Sequence, residues 1–196
     1  MVSRHVLWAA SVIILAGATM GAGAEDAVPT AAERAAESRK LSKSFAEQLK
    51  GELVGAMEAG GPESAIAVCH AAAPAIAEEK ADEKGWSVGR TALRLRNPAN
   101  APDAWERTIL LEFQDKIKQG ADVRELEHYE TTTQDGERVF RYMKAIPTQK
   151  PCLTCHGSNV SDSLRKTIAE FYPDDQATGF SLGELRGAFT IVQPLQ

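Results

Sequence analysis

The chain is poor in cysteine, histidine and aromatic residues: three, four and 6% respectively of 196 positions. Three cysteines cannot make the disulfide framework that staples small secreted folds, and at this length one hydrophobic core of ordinary size suffices. Positive charge is in deficit too, with 22 Lys and Arg against 27 Asp and Glu and a net charge of -5. That excludes a long phosphate-tracking basic surface, so nucleic acid is not an expected partner. Apolar runs of spanning length are missing beyond Met20. Ordinary apolar and charged fractions, 43% and 25%, exclude a disordered or collagen-like chain.

What is present begins with an export pattern. Arg4 and His5 precede an apolar run from Val6 to Met20, then the small residues Gly21-Ala22-Gly23-Ala24, then Glu25-Asp26. The run is shorter than the roughly 20 residues of a spanning helix, and Ala22-x-Ala24 offers a cleavage site. Residues 1–24 therefore read as a signal peptide and residues 25–196 as one acidic exported domain, expected in the periplasm with no membrane attachment after cleavage.

Leu41, Phe45, Leu49, Leu53 and Met57 recur every four residues, which predicts an amphipathic helix from Thr30 to Ala59 that Gly60-Gly61-Pro62 ends. A second helix starts near Pro62 and is expected to kink or break at Pro74. Its turn directs Ile66, Cys69, Ala73 and Ile76 to the core, with His70 beside that direction. Residues 88–97 alternate Arg90, Ala92, Arg94 and Arg96 against Thr91, Leu93 and Leu95, the two-residue period of a strand. A helix from Asp103 to Lys118 places Trp105, Ile109, Phe113 and Ile117 on one side. The runs 126–133 and 137–146, separated by Gln134-Asp135-Gly136, predict a β-hairpin. Ser161 or Asp162 caps a short helix with Leu164, Ile168 and Phe171 inward, and residues 187–192 form a last strand. Helices first and a small antiparallel sheet after them predict an α+β domain.

Cys152-Leu153-Thr154-Cys155-His156 carries the chemistry. C-x-x-C-H is the attachment sequence of c-type haem: two thiols three positions apart reach the two vinyl groups on one porphyrin edge, and the adjacent imidazole lies beneath the iron. One covalent haem c is expected, with His156 as proximal ligand. A thioredoxin-like couple is the competing reading of the two cysteines, but that motif opens a helix in a βαβ unit, whereas here it follows a hairpin and a Pro-flanked loop. A Cys₃His zinc site with Cys69 is another. Cys69 is left unpaired in an oxidising compartment, where a spare thiol needs burial or metal ligation to account for it. His70, His128, Met57 and Met143 are the other candidates for the sixth iron position. His128 sits on an edge-like strand and the two methionines read as core, so Cys69 and His70 remain, and spacing does not choose between them.

The Cys69 helix with Ala73-Pro74-x-Ile76-Ala77, Gly89-Arg90-Thr91, Arg96-Asn97-Pro98-x-Asn100-x-Pro102, Trp105-Glu106, the C-x-x-C-H motif, Tyr172-Pro173-x-Asp175-x-Ala177-x-Gly179 and Arg186-Gly187-Ala188 occur in one order. In this the chain resembles the cyanobacterial-type c-haem sensor family, a domain also found as the extracytoplasmic part of sensor kinases. The resemblance runs from about Leu41 to the C-terminus. It implies a PAS-like fold and a covalent haem with His156 proximal and Cys69 distal, although His70 directly follows that cysteine. The expected function is a redox or gas sensor for CO or NO that works through a releasable distal ligand and signals to a redox or signalling partner protein. Plain electron transfer is the alternative, and enzymatic haem chemistry is not expected. Arg90, Arg94 and Arg96 are candidates for the haem propionates or for a solvated strand face.

Overall fold

Thr30 starts the first helix. Its hydroxyl accepts from the Glu33 amide while the Glu33 carboxylate accepts from the Thr30 amide, a reciprocal capping box. The chain is described for residues 28–195 by a computed structural model, so the signal peptide expected over residues 1–24 lies outside the described residues. Helix α1 runs Ala31–Lys84, but Gly60 and Gly61 leave helical geometry inside it, Gly61 with φ 76°. Gly60-Gly61-Pro62 thus joins two antiparallel helices, tied by Gln48 to Glu79 at 3.0 Å and by Lys84 to Glu37 at 3.7 Å. Pro74 does not interrupt the second helix, contrary to expectation. It lies on the exposed face, where the carbonyl that loses its amide partner can meet water.

Strand β1 (Ser87–Thr91) is followed by helix α2 (Ala104–Lys118), capped by Asp103 and Glu106 in a second capping box. Strands β2 (Glu127–Gln134) and β3 (Glu137–Pro147) form the expected hairpin. Asp135 and Gly136 both have positive φ, 52° and 86°, as a two-residue type I′ turn requires. Two short helices follow, α3 (Leu153–His156) and α4 (Asp162–Phe171), and strand β4 (Leu185–Pro194) closes the chain. The four strands make one antiparallel sheet in the order β1-β4-β3-β2. The α+β, PAS-like expectation holds: paired N-terminal helices cover one face of a small antiparallel sheet, and α2 covers the other.

Alternation along β3 and β4 divides the core. Phe140, Tyr142 and Ile191 pack on Ala35 and Leu41 of α1, whereas Met143, Ala145 and Ala188 pack on Ile109, Leu110 and Phe113 of α2. Arg141 on the α2 face is buried but paired with Asp103 and Glu106, and its guanidinium lies over Trp105. The strand expected over residues 88–97 is cut short at Thr91, where pairing with Ala188 ends. Phe171 is 37% exposed, and Tyr172 takes the inward position expected of it. Among the described residues no helix is long and apolar enough to cross a membrane.

Two outcomes follow for stability. Phe113 is fully buried and Leu111 is 48% exposed on the same helix, so Phe113→Ala should cost about 3–5 kcal/mol and Leu111→Ala about 0.5 kcal/mol or less in urea titrations. Glu127 is held below the usual carboxylate range, chiefly by hydrogen bonds from Arg39 on α1. Its contribution is complete above about pH 4.3 and fades as the pH falls through the depressed folded value. Arg39→Ala should flatten that acid limb of the stability curve.

Candidate functional site

Residues 94–97, released from the sheet, bridge to the Cys-containing segment. The Arg96 guanidinium is forked onto Asp175, with Nε to Oδ1 at 3.0 Å and Nη2 to Oδ2 at 3.1 Å, and donates further to the carbonyls of Cys155 at 2.6 Å and Ala177 at 3.3 Å. The Gln176 amide donates to the Leu95 carbonyl at 2.7 Å. One side chain therefore ties three chain segments together. Arg94 goes outward: it pairs with Glu184 at 3.2 Å and lies 3.4 Å from the Phe180 centroid.

Cys152 ends a 3₁₀ turn over Lys150–Cys152, and Leu153–His156 continues as the single turn α3. The turn stops at Gly157, where a Cβ would meet the Leu153 carbonyl at 2.5 Å. Below it, the amides of Gly179 and Phe180 donate to the carbonyls of Gly157 and His156 at 3.0 and 2.8 Å. His156 Nδ1 donates to the Ala177 carbonyl at 2.6 Å, and the Phe180 ring stands edge-on to the imidazole. A carbonyl only accepts, so Nδ1 carries the proton and Nε2 is left with its lone pair, the tautomer of a metal-ligating histidine. Burial holds the imidazole well below its ordinary pKa, and Arg186 and Arg96 add to the effect. The ring is kept neutral.

The second half of α1 brings Cys69 to this place. Ile66, one turn earlier, packs with Val160, Leu164, Ile168 and Tyr172, against which Cys155 also rests. Cys69 is half-buried, and burial raises its thiol pKa, opposed by Arg90 and Arg96. Cys155 is raised for the same first reason, and Cys69 is close enough to add to its shift. All three cysteines are free thiols. His70 does not share the position of Cys69: it is exposed and set between Phe171 and Tyr172, with ring centroids at 5.3 and 5.2 Å. Met143 is fully buried in the α2 core, and His128 stacks on Trp105 on edge strand β2. Among the described residues no three His, Cys, Asp or Glu side chains converge tightly enough to hold a bare metal ion, an arrangement that gives a Cys₃His zinc site no support.

Of the three arginines expected on one strand face, only Arg90 remains there. It lies over the Phe45 ring at 5.6 Å, on the α1 side of the sheet. Sequence reasoning passed over the clamp roles of Asp175 and Ala177 and the inward position of Arg186, because their partners lie far away along the chain. Only the spaced Asp175-x-Ala177 pattern hinted at them.

The sequence profile of the Tll0287-like family matches residues 21–194. The solved structure of the cyanobacterial heme-protein Tll0287 is 28% identical, with a TM-score of 0.59, over 82% of this chain and 96% of that one. No curated protein matches.

The clamp generates a prediction. Arg96 and Asp175 are each about one-tenth exposed, against 41% and 48% for Arg94 and Glu184. Arg96→Ala strands the Asp175 charge and should cost about 3–5 kcal/mol. Arg94→Ala should cost about 1 kcal/mol or less, read by the same urea titration.

Proposed function

From the premise that the chain belongs to the Tll0287-like family, we propose that it is an exported c-type cytochrome that senses redox state or a gas such as CO or NO through a releasable Cys69 ligand. The donor set fits one covalent haem c. Cys152 and Cys155 are unbridged thiols on one turn, His156 offers a bare Nε2 beside them, and Cys69 supplies a further sulfur from a different helix. Bound haem would contribute a one-electron iron couple and an axial position open to exchange.

The protein's own groups do the rest. Ala177 fixes the orientation of His156, and burial keeps the imidazole unprotonated and ready to ligate. Cys69 is in the opposite condition: burial favours its neutral thiol, and only neighbouring positive charge favours the thiolate. A thiol poised in this way would serve as a conditional ligand to bound haem, favoured as thiolate by positive charge and as the neutral thiol by burial. The Cys69 helix is set off from the first half of α1 by the non-helical pair Gly60-Gly61 and rests on α4 through Ile66. A change at the thiol therefore bears on a separate helical element. The observation that carries this reading is that Cys69 lies within electrostatic reach of Cys155 and Arg90, one turn from Ile66 in the cluster that holds Cys155, while His70 is turned to Phe171 and Tyr172.

The role is binding and signalling rather than catalysis, and the output passes to a partner protein. Electron paramagnetic resonance of ferric wild type, Cys69→Ala and His70→Ala tests it. A low-spin thiolate signature should vanish in Cys69→Ala and persist in His70→Ala; the reverse pattern contradicts the assignment. A ferrous protein that stays six-coordinate and ignores CO points instead to an electron carrier.

A further inference from the structure

Two guanidiniums of the site have no carboxylate of their own. Arg186 lies beside the Phe180 ring that stands edge-on to His156, Arg96 donates to the Ala177 carbonyl that accepts the His156 proton, and Arg96 and Arg90 both act on Arg186. Asp175 stands among these arginines, and Arg96 occupies both of its oxygens; Glu52 acts on Cys69 and Glu63 on Cys155. Among the described residues no carboxylate oxygen comes within 4.0 Å of Arg90 or Arg186. Arg186 makes one hydrogen bond, to the Arg94 carbonyl at 3.3 Å, and lies 5.3 Å from the Phe180 centroid. Among the described residues the Arg90 guanidinium meets only the face of Phe45. Both side chains are half-buried. Burial lowers Arg90 and pushes Arg186 down to about 10, the mark of guanidiniums that have lost water without gaining an anion.

Their positions are complementary. Arg90 leaves β1 toward the α1 hairpin, and Cys69 and Tyr172 are the ionisable groups that act on it. Arg186, at the start of β4, lies 5.3 Å from the centroid of the Phe180 ring that stands edge-on to His156, and Cys152 acts on it. Gly187 next to it allows β4 to approach β1 closely, since a Cβ there would collide with the Thr91 carbonyl. One uncompensated cation thus stands on the Cys69 side of the site and one on the Cys152–His156 side. Arg94, outside this pair, already has Glu184.

We propose that Arg90 and Arg186 are the counter-charges for the two carboxylates of a dianionic tetrapyrrole, while Arg96 serves the fold. The inference rests on the haem reading above and deepens it: two guanidiniums against two propionates leave this part of the site neutral. Each arginine keeps its propionate ionised and hydrogen-bonded. Their positive field also favours the reduced, less positive state of the centre.

The test uses the full chain matured in a host with working cytochrome c assembly, as wild type and as Arg90→Gln, Arg186→Gln, Arg90→Lys, Arg186→Lys and Arg94→Gln. Pyridine haemochrome spectra report loading, resonance Raman reports the propionate bending bands, and redox titration between about pH 5 and pH 8 reports the midpoint. Each Gln variant should shift the reduction equilibrium toward the oxidised form by at least about threefold. Its midpoint should acquire a pH dependence and its propionate bands should move. The Lys variants should hold the midpoint near that of wild type while the bands move, and this pair decides the matter if a Gln variant fails to mature. Arg94→Gln should match wild type in every readout. Loaded Gln or Lys variants with wild-type bands and midpoints overturn this inference alone. A wild type without haem sinks the haem reading and this inference with it.

Discussion

The fork between Arg96 and Asp175 is the constraint on which the site depends. A guanidinium that is one-tenth exposed holds both oxygens of a carboxylate through Nε and Nη2, and the same Nη2 reaches two backbone carbonyls. One of those carbonyls, Ala177, also accepts the His156 proton; the other belongs to Cys155. The imidazole tautomer, the position of the second thiol and the path of residues 172–180 are therefore set by one ionic cluster. That cluster also explains why the chain leaves the sheet after Thr91. Continuing β1 would bring residues 94–97 under ladder pairing and deny Arg96 its partners.

Around this fixed centre the electrostatics are graded. His156 is neutral because it is buried and surrounded by guanidiniums, and so it has a lone pair to give. Cys69, on a helix joined to the rest of α1 by Gly60-Gly61, prefers to keep its proton. In the proposed haem site one ligand would be pinned by the fold and the other conditional. That asymmetry is what the sensing proposal requires, whereas two rigid ligands would suffice for passing electrons.

Legibility in the sequence followed the range of the interactions. The C-x-x-C-H turn, the hairpin around Asp135-Gly136, the helix starts at Thr30 and Asp103 and the glycine break of α1 are local, and each was visible in the order of residues. The arginine run was misread because alternation looks the same whether the residues line a strand or bridge to partners about 80 positions away. Pro74 was over-weighted because the penalty depends on whether the freed carbonyl faces water, which periodicity does not report. Phe171 and Tyr172 exchanged places because helix α4 ends at Phe171, and one residue beyond a helix the side chain no longer follows its face. Cys69 against His70 was undecidable by spacing for the same reason: neighbours on a helix differ by one step of rotation, and only the packing of Ile66 and the rings around His70 separate them.

The whole account depends on a porphyrin joined covalently to the turn that carries Cys152 and Cys155. Intact mass and peptide mapping of the purified protein, produced where cytochrome c assembly is active, measure this directly. The account predicts the mass of one haem added to the peptide containing Cys152–His156 and none on the peptide containing Cys69. An unmodified mass, with both thiols of the motif still alkylatable, would contradict it.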